Sequence, residues 1–533
     1  MRCWLDLTTR YYHRLSGSAA AAVFDRLVVS GASGVSSNFC MGNMMIHFDN
    51  SYARDLPGFY EPWQAQAVPQ PGLMMFNTSL AQELGIDAAE WPTDRWTAIF
   101  AGNEMLEGAT PIAQAYAGHQ FGGFSPKLGD GRALLLGEVI DRQGQRRDIA
   151  FKGSGRTPFS RGGDGKAAVG PVLREYILGE AMHALGVPTT RALAAVSTGE
   201  SVYREQVLPG AVLTRVAASH LRVGTFQYFA ARNEYDKVRQ LADYAIRRHD
   251  PQLVGDPDCY IKLLAAVAQR QAHLIARWMN IGFIHGVMNT DNMTISGETI
   301  DYGPCAFMEA FNPQAVFSSI DSHGRYAYSN QPSIAQWNLA RLAETFLPLI
   351  DAEQPERAVA RAMEVINAFA TWFQAHWLAG MRAKLGLAVD EASDLSLATD
   401  WMKLLEAQAV DFTLAFRTLS DAAEGNAKHL QALFSDQQGL VAWLARWQER
   451  CARSEASAAL RATMMRSVNP IYIARNHLVE EALEAATART DLSKFERLVQ
   501  VLAKPFDQRA GLDAYALPAP AEVTACYKTY CGT

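Results

Sequence analysis

The sequence predicts an α+β fold of two lobes, continued by a large helical C-terminal region. Three observations carry that expectation. Strand-like apolar runs separated by glycine turns lie between Leu128 and Lys152. Helical periodicity follows at Val172–Met182 and again at Tyr260–Met279. From Gln331 onward the apolar residues recur near the 3.6-residue period, as in Ile334, Trp337, Leu339, Leu342 and Phe346, then Val359, Met363, Ile366 and Phe369. These stripes read as core faces.

Taken in chain order, residues 1–43 stand apart. They hold four arginines, two aspartates and no lysine, with a Ser/Gly/Ala-rich stretch. That composition suits a disordered extension or a misassigned start, with an organelle-targeting segment as the alternative. Next comes Leu128-Gly129-Asp130-Gly131-Arg132, a turn that suits a backbone approaching phosphate, although a Gly-Asp-Gly turn also makes an ordinary hairpin. The run Asp148–Lys152 ends in a lysine that could neutralise phosphate charge or simply sit in solvent. A glycine-rich basic loop, Gly153–Lys166, could cradle phosphates or remain solvated. The helix after it offers Glu175, with Glu180 in reserve, as a partner for Lys152.

The chemistry concentrates in His285-Gly286-Val287-Met288-Asn289-Thr290-Asp291-Asn292 and Asp301-Tyr302-Gly303. In protein kinases the loop H-R-D-x-x-x-x-N carries a proton-accepting Asp and a metal-binding Asn, and the Asp of D-F-G holds the metal at the phosphates. Here the proton-accepting position is Val287, whose side chain takes no proton. Asn292 and Asp301 still offer hard oxygen ligands for magnesium. Asp291 is the only carboxylate inside the loop, open to a role as base, as metal ligand or as support for one. Glycine turn, strand lysine, helix glutamate, loop and D-x-G occur in the order of a bilobal protein-kinase-like fold. The expected divisions are 44–225 for the first lobe, 226–330 for the second, 331–517 for the helical region and 518–533 for a flexible tail.

This set of motifs resembles the selenoprotein O family, pseudokinases that act as protein adenylyltransferases. The resemblance runs from about Phe48 to the C-terminus. Its most specific pieces are Tyr116–Gly122, Leu128–Gly137, Phe151–Gly165, Ile284–Asp301 and Asn469–Asn476. It implies a nucleotide held flipped relative to a kinase, with AMP or UMP passing from ATP or UTP to Ser, Thr or Tyr hydroxyls of proteins and pyrophosphate leaving. It further implies nucleotide contacts from Gly129, Gly131, Arg132, Lys152, Asp164, Gly165, Arg215, Arg222 and Asp301. By the same resemblance Glu175 partners Lys152, Asp291 accepts the proton, and Asn292 with Asp301 binds Mg2+ or Mn2+. A kinase with a rewired base and an idle ATP-binding pseudokinase are the alternatives.

Composition agrees with an enzyme of the cytoplasm. At 49% hydrophobic and 20% charged, 533 residues can bury a sizeable core in two to four domain-sized units. A net charge of −6 leaves no nucleic-acid footprint, and the apolar runs fall far short of the roughly 20 residues that span a bilayer. Seven cysteines, odd in number and without metal-ligand spacing, argue against structural disulfides or zinc. Cys531 stands third from the end, where some members of the resembled family carry selenocysteine; a reversible disulfide with Cys305 or Cys526 that restricts the active site is the expectation there, against free thiols.

Overall fold

An eight-stranded antiparallel sheet carries the first part of the chain, and the remainder is mostly helical, so the fold is mixed α and β. The computed structural model describes residues 46–87 and 92–530, except for the side chains of 521, 525 and 526; the predicted N-terminal extension lies outside them.

The strands are β1 (Tyr60–Pro62), β2 (Gly72–Phe76), β3 (Ile112–Gln114), the small hairpin β4 (Gly118–Gln120) and β5 (Gly123–Ser125), then β6 (Ala133–Ile140), β7 (Arg146–Lys152), β8 (Ala167–Ala168), β9 (Arg191–Tyr203) and β10 (Val207–Ala217). The large sheet runs β1-β3-β6-β7-β10-β9-β2, with β8 beside β10. Its helices are α1 (Ser51–Asp55), α2 (Thr78–Glu83), α3 (Thr93–Ala101) and α4 (Val169–Ala184). Both faces of the sheet are covered. Leu134, Leu136, Ile149 and Phe151 pack with Trp96 and Phe100 of α3 on one face, while Leu135, Ala150 and Leu213 join the core around α4 on the other. A strand buried on both sides reads as a continuous apolar run, which is why Ala133–Leu136 shows no alternation in sequence.

Register decides which polar residues share a face. Lys152 lies opposite Leu213 and Arg215 opposite Ala150, so Lys152 and Arg215 emerge on the α4 side of neighbouring strands. Glu175, in the middle of α4, is aimed back at them.

Beyond the sheet come α5 (Val223–Ala230), α6 (Tyr235–His249) and the long α7 (Cys259–Asn280), which delivers the chain into β11 (Phe283–Ile284). This two-residue strand pairs with β12 (Ala306–Phe307), and the pair clamps both ends of the segment that carries Val287, Asp291, Asn292 and Asp301. Helices α8 (Gln331–Ile350) and α9 (Pro355–Lys384) pack on α7. Eight further helices between Asp394 and Cys526 complete the described chain. Arg475, fully buried, ties this region to the rest: it reaches Glu309 at 2.9 Å and Asp411 at 2.6 Å and donates to the Ala516 carbonyl. At the C-terminal end, Thr529 and Phe317 join through a backbone hydrogen bond, Ser319 bonds back to Thr529, and Thr529 Oγ1 donates to the Pro304 carbonyl, two residues before β12. No helix among the described residues is long and apolar enough to cross a membrane.

Candidate active site

A cleft of about 1580 Å³ opens where the β6–β7 and β9–β10 ends of the sheet face the Val287–Asp301 segment. Gly129, Gly131, Arg132, Lys152, Asp164, Gly165, Arg215, Arg222, Asp291, Asn292 and Asp301 all line it. Glu175 sits directly behind Lys152, and Cys305 lies deeper still, buried.

Two interlocked loops form the roof. Gly129 has φ +69°, and a Cβ there would meet the Phe159 ring at 2.3 Å, so the turn before β6 needs glycine to seat over that ring. Phe159 comes from the glycine-rich loop. Thr157 Oγ1 donates to the Asp130 carbonyl at 2.6 Å and Ser160 Oγ to the Gly131 carbonyl, which holds the two loops together. The Gly155 amide donates to the Gly165 carbonyl at 3.1 Å, so the glycine-rich segment closes on itself. Gly165, at φ +70°, has the Gly155 carbonyl oxygen 2.1 Å from where a Cβ would stand. Asp164 is gripped by Arg204 at 2.8 Å, and the hydrogen bond from Arg204 holds its carboxyl below the usual range.

The floor is a lattice of alternating charge. Lys152 Nζ lies 2.5 Å from Glu175 and 3.1 Å from Asp301 Oδ1. Arg215 donates to Glu175 at 2.7 Å and to Asp301 Oδ1 at 2.5 Å. Arg222 reaches Asp301 Oδ2 at 3.3 Å, donates to the Asp291 carbonyl at 3.0 Å and stacks 4.5 Å over the Tyr116 ring. Burial pushes the Asp301 carboxyl up, but Arg215, Lys152 and Arg222 outweigh it and hold it well below the ordinary carboxylate range. Glu175 is lowered in the same way, burial being outweighed by Arg215 and Lys152. Asp301 also has φ +61°, a left-handed backbone uncommon outside glycine. Glu180 takes no part in the lattice, because it pairs instead with Arg191 at 2.9 Å and with Asn77.

The loop between β11 and Asp301 is fixed from within. Asn292 Nδ2 donates to the Val287 carbonyl at 3.0 Å, which commits its amide nitrogen and leaves its oxygen as a metal donor. The donor set suits a hard divalent cation: one carboxylate kept ionised by its neighbours and one amide oxygen, both in one cleft. No cluster of three or more His, Cys, Asp or Glu able to hold a metal occurs among the described residues, so this pair leaves coordination positions for phosphate oxygens and water. Asp291 is 8% exposed, and burial raises its carboxyl to about 6. One of its oxygens accepts from Gln120 Nε2 at 3.2 Å; the other, Oδ1, has no hydrogen-bond partner.

Several participants escaped sequence reasoning. Arg174 donates to the carbonyls of Gly303 and Cys305 and pairs with Glu480, anchoring the segment after Asp301; its neighbour Glu175 drew attention only because a lysine needed a partner. Arg204 had no motif around it. Of the cysteines, Cys305 is wholly buried and its thiol is pushed up by that burial to about 11, while Cys531 and the Cys526 side chain lie outside the described residues.

Comparison with known proteins bears directly on this cleft. A family model described as "Protein adenylyltransferase SelO" matches residues 43–503. A "Protein nucleotidyltransferase YdiU" of Cereibacter sphaeroides is 60% identical over 491 residues, covering 92% of this chain and 100% of the relative. Proteins of the same description from Rhizobium johnstonii and Chromobacterium violaceum are each 59% identical, covering 91% and 90% of this chain and 97% and 100% of their own. With its glycine turn, charge lattice and Val287-containing loop inside that match, the chain belongs to the SelO family.

Proposed function

We propose that this protein transfers a nucleotidyl group, AMP from ATP or UMP from UTP, to Ser, Thr or Tyr hydroxyls of other proteins with release of pyrophosphate. The observation that carries the reading is the pairing of a lattice of buried ion pairs, Lys152–Glu175–Arg215–Asp301–Arg222, with a loop that has Val287 where a kinase has its base. The nucleotide machinery is kept, and the residue that would serve γ-phosphate transfer is gone. We read the architecture as kinase-like, with lobes at 44–225 and 226–330, a helical region at 331–517 and a tail at 518–533. The cytoplasm is the proposed location, supported by the composition.

In the proposed reaction the turn Gly129–Gly131 and Arg132 receive the nucleotide from above, with Asp164, Arg204 and Gly165 shaping the loop beside it. Lys152, Arg215 and Arg222 neutralise phosphate charge, and Glu175 keeps Lys152 extended toward it. Mg2+ or Mn2+, held by Asn292 and Asp301, would supply further charge neutralisation at the phosphates. The acceptor hydroxyl oxygen bonds to the α-phosphorus, the bond from that phosphorus to the bridging oxygen breaks, and pyrophosphate departs with the electron pair. The hydroxyl proton passes to Asp291, whose raised carboxyl is matched to accepting a proton near neutral pH. The tail thiol Cys531 is proposed to restrict the site by a disulfide under oxidising conditions.

The test is protein labelling with α-³²P-ATP and γ-³²P-ATP in parallel. Label from the α-position alone supports nucleotidyl transfer. Label from the γ-position would identify a kinase with a rewired base, and no label from either under reducing conditions would leave only a nucleotide-binding role.

A further inference from the structure

The hairpin β4–β5 lies directly against the loop that carries Asp291, and it is fastened there at three successive residues. The His119 amide donates to Thr290 Oγ1 at 2.7 Å, Gln120 Nε2 to Asp291 Oδ2 at 3.2 Å, and the Phe121 amide to Asn289 Oδ1 at 3.1 Å. Outer contacts hold those groups in turn. Thr290 Oγ1 donates to Gln227 Oε1 at 2.6 Å, Gln227 Nε2 meets His119 Nδ1 at 2.9 Å, and Tyr326 OH donates to Asn289 Oδ1 at 2.7 Å. The backbone bonds at 119 and 121 place the loop; the middle contact, from a side chain, reaches the carboxylate itself.

What the hairpin leaves open is as informative. Asp291 Oδ1 is buried with no partner and points at Gly118, where an added Cβ would stand 2.4 Å from Oδ1 and 2.9 Å from Cγ. Glycine at 118 is therefore what gives this oxygen its room. With one oxygen tied to the hairpin and the other buried against Gly118, the carboxylate is held in a single orientation.

We propose that Gln120 is a positioning residue for Asp291, holding Oδ2 while Gly118 gives Oδ1 the room to pack, so that the carboxylate keeps one orientation at the cleft; this rests on Asp291 being the proton acceptor. Gln120 suits the task because its amide donates without carrying a charge that would pair off the carboxylate. The half-buried Gln120 lines the cleft, so the clamp also sits where an acceptor hydroxyl would enter.

The experiment compares Gln120→Met, which keeps the size and removes the donor, and Gln120→Glu, which keeps the shape and replaces the donor with an acceptor. Each is made in the wild-type chain and in an Asp291→Asn background, with kcat and KM read from α-³²P label transfer and nucleotide affinity measured separately with a non-hydrolysable ATP analogue. Both variants are expected to lower kcat by about tenfold or more while KM for ATP and analogue affinity stay within about twofold. In the Asp291→Asn background the same changes should move kcat by less than about twofold, since the group they position is absent. Wild-type kcat in both variants, or an equal loss in both backgrounds, would overturn the proposal. An Asp291→Asn chain with wild-type kcat would instead overturn the base assignment beneath it. Should either Gln120 variant lose analogue binding through misfolding, the other and Gly118→Ala, which crowds Oδ1 from the opposite side and should also lower kcat, decide the question.

Discussion

Replacing Asp301 by Asn gives the sharpest test of the charge lattice. The backbone at 301 has φ +61°, a region that Asn enters more readily than most residues, so the substitution removes the charge without adding conformational strain. Asp301→Ala would add about 1–2 kcal/mol of left-handed backbone cost and confuse the result. The carboxylate faces Arg215 at 2.5 Å, Lys152 at 3.1 Å and Arg222 at 3.3 Å. Breaking a buried ion pair from one side costs about 3–5 kcal/mol. Lys152 and Arg215 keep Glu175, and Arg222 keeps the Asp291 carbonyl and the Tyr116 ring, so the low end, about 3 kcal/mol, is expected. In a chain of this size that is a loss of a few degrees in melting temperature. The sign with pH follows from the lowered carboxyl: its contribution is fully present above the ordinary Asp range near 4 and is lost as pH falls below it. The gap between wild type and variant in thermal melts should therefore be constant above about pH 5 and narrow in acid. Transfer of α-³²P label, measured across a divalent-metal titration, should fall by at least about 100-fold and resist rescue by excess metal. Activity within about threefold of wild type at saturating metal, or a melting gap that widens as the pH falls, would refute the reasoning.

Other consequences follow from the same geometry. Gly129→Ala puts a methyl 2.3 Å from the Phe159 ring at φ +69°, and should raise KM for ATP by about tenfold in steady-state kinetics and cost about 2–5 kcal/mol of stability, read in thermal melts. In the proposed role of proton acceptor Asp291 works only when ionised, so kcat should rise with pH on an acid limb set by its burial-raised carboxyl and then level; the limb should vanish in Asp291→Asn. The same shift means the folded chain binds more protons than the unfolded one between the ordinary Asp range and about 6, so this group costs stability as pH rises through that window. A chelator should abolish transfer yet leave the melting temperature of nucleotide-free protein unchanged, because two protein ligands do not make a structural site. Arg475→Met strips the cation from between Glu309 and Asp411 and should destabilise the helical region by about 3–5 kcal/mol, seen as a lower melting temperature with KM for ATP unaltered.

Local chemistry is what the sequence alone determined. The turn at Gly129–Gly131, the strand ending in Lys152, the helix bearing Glu175 and the helix entering the Val287–Asp301 segment are short-range patterns, written in glycine positions and apolar periodicity, and the observed elements β6, β7, α4 and α7 lie where those patterns place them. The missing proton acceptor at Val287 needed no coordinates, since it is an identity rather than a geometry. Tertiary structure decided everything that depends on two distant segments meeting. The helical pattern offered Glu175 with Glu180 in reserve; strand register and the position of Arg191 gave the first to Lys152 and diverted the second. Arg215 and Arg222 are ordinary arginines in sequence, and only the pairing of β10 with β7 and the start of α5 bring them to one aspartate. Asp291 owes the room for one carboxylate oxygen to Gly118, more than 170 residues earlier, and a hydrogen bond on the other to Gln120. Such contacts rest on burial and on the directions of side chains across a cleft, and a one-dimensional pattern carries no record of either.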